Sequence, residues 1–358
     1  MATIKDVAAL AGISYTTVSH VVNKTRPVSE PVRIKVEAAI KQLDYVPSAV
    51  ARSLKAKTTA TIGLLVPNSL NPYFAELARG IEDYCERNGY CVILCNSDDN
   101  AEKQRSYLRV LLEKRVDGLI VTSVGGDDSG LAAGLSAVRT PMVIVDRALD
   151  GIDVDLVRID HEEGAYLATR HLLELGHRDI ACIGGPVHTR VAQMRLAGYH
   201  RALREAGVEV AADRTRESDF TSTGGYAAAV QLLAENPPSA IFASNDMIGF
   251  GVLRAAAERN LRVPGELSVI GFDDIQMGRY VYPALTTVGQ SIVQLGETAA
   301  ELLLRRIATP QLPIDQRIVT PSIVLRESTA PIAGVFAAAG VLFIQPVMPH
   351  ALALAAGA

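Results

Sequence analysis

From Thr61 onward the sequence alternates between short apolar runs and amphipathic helical segments, and this alternation limits the possible folds more than any other feature. The apolar runs predict strands in TIGLLVP, YCVILCN, VDGLIVTS, PMVIVDR, RDIACIGG, SAIFASN and LSVIGFDD. Helical patterns occur between them, such as YFAELARGIEDYCERNG, EKQRSYLRVLLEKR, GAYLATRHLLELG and DMIGFGVLRAAAERN. Strands that alternate with helices form parallel sheets covered on both faces. The body of the chain is therefore predicted to be an α/β fold of two doubly wound parallel-sheet subdomains.

The residues before this body carry a different pattern, that of three short helices. Thr3 is a candidate N-cap for a helix over 5–10, and Gly12 suits its end because glycine takes the left-handed conformation at little cost. Ser14 is a second candidate N-cap, for a helix over 15–23, and a third helix follows. Two short helices joined by a glycine-containing turn and supported by a third form a helix-turn-helix domain.

Charge divides the chain at about the same place. Residues 1–57 hold nine Lys/Arg and four Asp/Glu, a net charge of +5, whereas the remaining 301 residues hold 26 and 35, a net charge of −9. A basic head on an acidic body indicates a polyanionic partner for the head alone. The predicted second helix carries polar side chains that can bond to base edges in the major groove. These side chains are Tyr15, Thr16, Ser19, His20 and Asn23.

After the head, SAVARSLKAK has a helical composition, with Ser48 as a candidate cap. It has little apolar surface of its own to bury, so we expect it to fold only on a partner. The alternative is a plain interdomain linker.

These segments resemble one family. TIKDVAALAGISYTTVSHVVNKTRPVSE, followed by YVPSAVARSLK, is similar to the lactose/galactose repressor family, and within it to the ribose and purine repressors. The resemblance covers residues 2–329. It implies a transcriptional regulator, a repressor, whose all-α headpiece binds a pseudo-palindromic operator as a homodimer. It also implies that the core has the fold of periplasmic sugar-binding proteins and binds a small-molecule effector.

The resemblance further implies particular DNA contacts. Tyr15, Thr16 and His20 match recognition-helix positions, although many relatives carry arginine where this chain has His20. Leu54 matches the hinge leucine that wedges into the minor groove and kinks the DNA. The predicted DNA-binding set is Thr3, Ser14, Tyr15, Thr16, Thr17, Ser19, His20, Asn23, Arg26, Leu54 and Lys55.

In the body, polar residues follow several predicted strands. Ligands of doubly wound sheets bind beyond the carboxyl ends of the strands, so these residues are candidates for the effector site. The set combines aromatic rings, which cover an apolar face, with carboxylate, amide and guanidinium groups that bond to hydroxyls. The predicted effector-binding residues are Asn71, Tyr73, Phe74, Asp146, Arg147, Asp160, Gln193, Arg195, Phe220, Asn245, Asp273 and Gln290.

The resemblance also narrows the choice of effector. The pattern of the ribose-binding members is met at most of these positions, but Gln193 stands where those proteins place an arginine. The arginine with which purine repressors bind the base falls near Thr189. Ribose or a related pentose is therefore the predicted effector, and a purine-type corepressor is the alternative.

Other polar residues favour structural roles. Asp246 is expected to be a helix cap, and five histidines of the body are scattered as surface or capping residues: His161, His171, His177, His188 and His200. The four cysteines contain no CxxC pair, so neither a disulfide nor a zinc framework is expected. Cys91 and Cys95, four apart on one strand, are expected to be buried free thiols.

Enzymes and transport proteins are the rival classes. The sequence has no GxGxxG after a first strand, no GxxxxGK[ST], no HExxH and no GxSxG, so no catalytic motif anchors an oxidoreductase, kinase or hydrolase. We therefore expect no enzyme activity, cofactor or metal. A plain sugar-binding transport protein would carry a signal peptide and no basic head.

The predicted organisation is a DNA-binding domain over 1–46, a hinge over 47–60, a core over 61–329 and an apolar tail over 330–358. The core divides into 61–160 with 291–320 and 161–290 with 321–329. The tail, which contains PIAGVFAAAGVLFIQPVMPHALALAAGA, has apolar runs too short to span a membrane, and is expected to be poorly ordered or loosely docked. MATIKDVAAL has no signal-peptide core, so a cytoplasmic protein that does not interact with membranes is expected.

Overall fold

The computed structural model describes residues 2–23, 25–46, 58–122, 135, 138–146, 153–209, 211–234, 236–289 and 291–332. The predicted hinge helix, with Leu54 and Lys55, and all but the start of the predicted tail lie outside these residues, as do Arg147 and Gln290. None of the helices in the described part is long and apolar enough to cross a membrane.

The headpiece consists of three helices, α1 (Ile4–Ala11), α2 (Tyr15–Asn23) and α3 (Glu30–Gln42). Thr3 caps α1 through a capping box with Asp6, because each residue's side chain accepts a hydrogen bond from the other's backbone N–H. Gly12 ends the helix at φ +64°, in the left-handed region that glycine adopts at little cost.

The headpiece core is small. Four side chains are buried where the three helices meet: Val7, Val18, Val36 and Ala39. Partly buried apolar residues, including Ile4, Ala8, Val22 and Leu43, surround them. Apolar residues of all three helices thus face inward.

The first half of the core is a six-stranded, all-parallel sheet with the order β11-β5-β4-β3-β1-β2. Its strands are β1 (Thr61–Val66), β2 (Cys91–Asn96), β3 (Gly118–Val121), β4 (Met142–Val145), β5 (Asp155–Ile159) and β11 (Gln316–Val319). Helices α4 (Pro72–Arg87), α5 (Ala101–Glu113) and α10 (Ile292–Ala308) pack on it.

The second half repeats this plan with the order β12-β10-β9-β8-β6-β7, in which only the edge strand β12 is antiparallel to its neighbour. Its strands are β6 (Ile180–Gly184), β7 (Thr215–Glu217), β8 (Ala240–Ala243), β9 (Ser268–Asp273), β10 (Thr286–Gly289) and β12 (Ser322–Val324). Its helices are α6 (His161–Glu174), α7 (Arg190–Glu205), α8 (Ser222–Leu232) and α9 (Asp246–Glu258). Short 3₁₀ turns cover Ala212–Arg214 and Gln276–Arg279.

The two sheets confirm the predicted α/β fold class, and the chain passes between them three times. It crosses between β5 and α6, between β10 and α10, and between β11 and β12. The exact domain boundaries stay a prediction.

Glycines allow the paired helices to approach closely. A Cβ on Gly80 of α4 would lie 2.1 Å from the backbone oxygen of Val293, and one on Gly198 of α7 would lie 2.1 Å from that of Glu162. Real side chains do not tolerate such distances, so the helix pairs α4–α10 and α6–α7 both require a glycine at the contact.

Two expectations about burial are wrong. Cys91 is exposed, although Cys85, Cys95 and Cys182 are buried free thiols. Cys91 begins β2, which is the edge strand of its sheet, so only part of that strand is covered. Two of the histidines expected to be surface or capping residues, His161 and His177, are buried, at only 2% and 3% exposed.

Candidate effector cleft and DNA-binding surface

Both sheets have the strand order 2-1-3-4-5 within their first five strands, and each order reverses beside its first strand. A doubly wound sheet opens a crevice at this reversal, where neighbouring loops leave in opposite directions. One cleft is lined by residues that follow strands of both halves. The cleft therefore lies where the topology of each sheet favours ligand binding.

Eight of the predicted effector-binding residues line this cleft together. They are Asn71, Tyr73, Phe74, Asp146, Arg195, Phe220, Asn245 and Asp273. Two others take different positions: Asp160 caps α6 by accepting a hydrogen bond from the Glu163 N–H, and Gln193 is exposed and donates to the Val187 carbonyl. Their roles in ligand binding stay predictions, as do those of all the site residues.

Aromatic rings come from both halves. Tyr73 and Phe74 lie in the first turn of α4 and pack edge to face, with ring centroids 5.1 Å apart and planes at 86°. Phe220 has φ +63°, a conformation that costs energy for a bulky residue. Asn245 holds it there, because its side-chain amide donates to the Phe220 carbonyl at 3.0 Å. The Phe220 ring covers Gly185, where a Cβ would lie 2.0 Å from it.

The guanidinium of Arg195 is only 4% exposed and is held on several sides. It donates to Asp273 Oδ1 at 3.0 Å and to the Ser244 carbonyl at 2.5 Å. Its carbon lies 3.7 Å from the centre of the Phe272 ring, a cation–π distance. Buried charges need such partners, and here they fix a donor-only group at the cleft.

His161 connects this group to the other half. Its Nδ1 accepts from Nε of Arg195 at 3.4 Å and lies 3.3 Å from Nη2. Its Nε2 lies 2.9 Å from Oδ1 of Asp146, which follows β4 of the first sheet. Burial lowers the pKa of His161, and Asp146 opposes this effect only in part.

Burial also governs the carboxyl groups beneath the cleft. It raises the pKa of Asp273 to about 7, although the Arg195 charge opposes the shift. The backbone at Asp273 has φ +117°, outside the conformations that side chains favour.

Asp246 does not cap its helix as expected, because Asn245 is the N-cap of α9. Asp246 is fully buried, and it accepts from Thr287 Oγ1 at 2.5 Å and from the Ile275 N–H at 2.9 Å. Burial raises the pKa of Asp246 well above its ordinary value. The side chain therefore fixes the turn that follows Asp273.

Sequence reasoning missed several residues of the site. Asn68, Asp99, Val191 and Asp219 also line the cleft, and His161 lies behind Arg195. Asn68 and Asp99 follow β1 and β2, so the rule of strand ends could have found them. His161 directly follows the predicted strand-end residue Asp160, but its partners come from distant parts of the chain.

The predicted recognition helix α2 has an exposed amino-terminal end, formed by Ser14, Tyr15 and Thr16. Ser14 caps the helix by accepting from the Thr17 N–H at 3.2 Å. Asn23 donates to the Ser19 carbonyl at 2.9 Å, so its amide is engaged within the helix. The cap at Ser14 and the hydrogen bond of Asn23 within the helix therefore explain part of the polar set on α2 without a contact to DNA.

His20 and Arg26 lie at the other end of the helix, where Arg26 is exposed. Nδ1 of His20 lies 2.8 Å from Oγ1 of Thr25, a contact that sequence reasoning missed. If Thr25 donates, Nε2 carries the ring proton and becomes a donor that suits N7 or O6 of a purine base.

Known proteins match both parts of the chain. The family model for bacterial regulatory proteins of the lacI family matches residues 3–48, and that for a periplasmic binding protein-like domain matches residues 169–329. A relative in Aliivibrio salmonicida, the HTH-type transcriptional repressor PurR, is 44% identical over 308 residues, 86% of this chain and 92% of the relative.

Solved structures match as well. The lac repressor dimer bound to operator and the anti-inducer ONPF has a TM-score of 0.82 and 32% identity, and the match covers 92% of this chain and 99% of that one. A lacI-family regulator from Enterococcus faecium with bound ribose has a TM-score of 0.69 and 36% identity, covering 76% and 99%.

These relatives are transcriptional regulators and not enzymes, which confirms that part of the prediction. They also confirm the predicted combination of a helix-turn-helix headpiece with a periplasmic-binding-protein-like core, the combination through which regulators of this type bind operator DNA and small-molecule effectors as dimers. The identity extends over most of the chain and of its relatives. The chain belongs to the lacI family of bacterial regulatory proteins.

Proposed function

We propose that the protein is a repressor whose binding to a pseudo-palindromic operator depends on a purine-type corepressor held in the cleft. One observation carries the proposal: residues from both halves converge on a single cleft in which aromatic rings lie beside a buried donor, Arg195, and a buried acceptor, Asp273. A purine base offers an aromatic face together with donor and acceptor atoms on its edge, so this combination suits it.

The relatives support a purine-type ligand over the pentose that the sequence alone favoured. The HTH-type transcriptional repressor PurR of several bacteria is 43–45% identical to this chain over up to 92% of its length. The ribose-bound regulators reach 34–36% over 76% of it.

A pentose is the second candidate, and Thr189 favours it. This residue, near which the base-binding arginine of purine repressors falls, is a buried N-cap of α7. Its hydroxyl donates to the Pro186 carbonyl at 2.8 Å and accepts from the Ala192 N–H. It supplies no cation for a base.

For the DNA, we propose that α2 enters the major groove with Tyr15, Thr16 and His20, and that two basic heads act together in a dimer. The exposed amino-terminal end of α2 and the net charge of +5 on residues 1–57 support this role. Operator binding would place the protein in the cytoplasm with the DNA.

Calorimetric titration of the full chain with hypoxanthine, guanine and D-ribose, each with and without operator DNA, tests the proposal. We expect a purine to bind and to tighten operator binding. Binding of ribose alone would replace the purine by the pentose, and release of the operator by the bound ligand would show induction instead of corepression.

A further inference from the structure

The structure assigns a positioning role to His161, a residue outside the predicted effector set. We propose that His161 holds the Arg195 guanidinium in the cleft and ties it to Asp146 of the first half. This inference rests on the proposed function for its ligand, but its chemistry can be tested without one.

Hydrogen-bonding capacity defines the state of the ring. Arginine has only donors, so the ring nitrogen it faces, Nδ1, must be the acceptor. Nε2 lies 2.9 Å from a carboxylate oxygen of Asp146, which favours a proton on that nitrogen. His161 is therefore neutral, with its proton on Nε2.

The surroundings leave no room for another state. A proton on Nδ1 would point at the Arg195 N–H groups, and a positive ring would repel the guanidinium. The ring is 2% exposed and lies with its centroid 6.0 Å from that of Phe272, the ring on which Arg195 also stacks. Among the described residues, Asp146, Arg195 and, through Arg195, Asp273 are the charged groups that face it.

The contact crosses the cleft. Asp146 follows β4 of the first sheet, whereas His161 begins α6 on the second half, and Arg195 belongs to α7. An imidazole has one nitrogen for each side, so a single side chain contacts a carboxylate and a guanidinium that belong to different halves. A substitution that keeps only one of the two nitrogen positions should therefore keep only one of the two contacts.

Two variants separate them. In His161→Asn the amide group lies about where Nδ1 lies, so an acceptor for Arg195 remains and the reach to Asp146 is lost. In His161→Gln the amide reaches the Nε2 position, so the contact to Asp146 remains and the acceptor for Arg195 is lost. We expect the affinity for hypoxanthine, or for D-ribose if that binds, to fall about tenfold or more in His161→Gln and to stay near the parent value in His161→Asn.

The tautomer is measured directly by long-range ¹H–¹⁵N correlation spectra of the full chain labelled on histidine, with His161→Asn identifying the signals. We expect a neutral ring with the proton on Nε2 at pH 7. An imidazolium, a proton on Nδ1, or equal ligand affinities of the two variants would overturn the proposal. If the parent binds none of the titrated compounds, the proposed ligand is wrong, and the spectra still decide the role of His161.

Discussion

The two halves of the core share a strand order but not a distribution of buried charge. The second half contains Arg195, Asp246 and Asp273 near the cleft and His177 farther away, all of them buried. In the first half, Asp146 reaches the cleft. A second buried carboxylate, Asp155, starts β5 at the opposite end of the sheet and pairs with the partly exposed Arg306. The same strand order therefore occurs with two different arrangements of buried charged groups.

This difference separates ligand binding from DNA attachment. The buried ion pair of the cleft, Arg195 with Asp273, belongs to the second half, whereas the chain segment that leads from the headpiece enters the first half at β1. An effect of this pair on DNA binding must therefore pass between the halves. Two described contacts join the halves and can transmit such an effect. Asp146 contacts His161, and Glu76 of α4 accepts from the Gln276 N–H at 2.8 Å.

Two ion pairs, each with a buried aspartate, give the strongest test of this comparison. Arg195→Met and Arg306→Met each leave a buried aspartate without its cation, so each should lower the free energy of unfolding by about 3–5 kcal/mol. Only Arg195→Met should also weaken hypoxanthine binding, by about ten- to a hundredfold. Urea unfolding and calorimetry measure the two quantities. Equal ligand affinities in the two variants would show that the second half does not dominate binding.

Most strands predicted from the sequence are buried, but two further buried strands, β5 and β10, were not predicted, because polar residues interrupt their short sequences. β1, β3, β4, β8 and β9 are almost entirely buried, so their sequences are apolar runs. The edge strands β7, β11 and β12 are short and partly exposed, and their sequences contain no apolar run from which a strand could be predicted. Their position follows from pairing with distant strands, which local composition does not encode.

The residues of the candidate site also divide into those that the sequence predicts and those that it does not. Residues at strand ends, such as Asn71, Asp146 and Asp273, were predictable because parallel strands bring their carboxyl ends to one edge. The role of His161 was not, because it depends on Asp146 and Arg195, which are 15 and 34 residues away in sequence and meet only after both halves have folded.

Gly185 tests whether the shape of the second half also controls the ligand. Gly185→Ala would place a Cβ against the Phe220 ring, where the contact distance is 2.0 Å, and push the ring toward the cleft. Overpacking of this kind costs roughly 1–3 kcal/mol, so we expect ligand affinity to fall about tenfold. Gly184→Ala is the matched control, because its Cβ would lie an ordinary 3.7 Å from the Arg216 carbonyl oxygen. Calorimetric titration should find a loss only in Gly185→Ala.

Mild acid should act on the second half, because residues 61–159 and 292–319 contain no histidine. His177 contacts Ser239, Ser268 and the Ala330 carbonyl, and burial lowers its pKa. A histidine whose folded pKa is lowered contributes stability that is complete above its unfolded pKa, about 6.5, and is lost as pH falls below it. The loss is at most about 1.4 kcal/mol per pH unit.

The measurement is urea unfolding of the parent and of His177→Gln between pH 7.5 and 5.5. The stability advantage of the parent should shrink as the pH falls below about 6.5. The raised pKa values of Asp246 and Asp273 act in both proteins and cancel in this difference. If the difference in the free energy of unfolding is constant, protonation of His177 does not destabilise the second half.

The smallest effects should come from surface ion pairs, where the two halves ought to behave alike. Arg79 pairs with Asp83 on α4 of the first half, and Arg254 pairs with Glu258 on α9 of the second, both four residues apart and with arginines 68% and 71% exposed. Water and salt screen such pairs, so Arg79→Ala and Arg254→Ala should each change the free energy of unfolding by about 0.5 kcal/mol or less. Neither should change ligand affinity. A larger loss in Arg254→Ala, measured by urea unfolding at low and high salt, would show that the asymmetry between the halves extends to their surfaces. Matching small values would confine it to the buried groups around the cleft and His177.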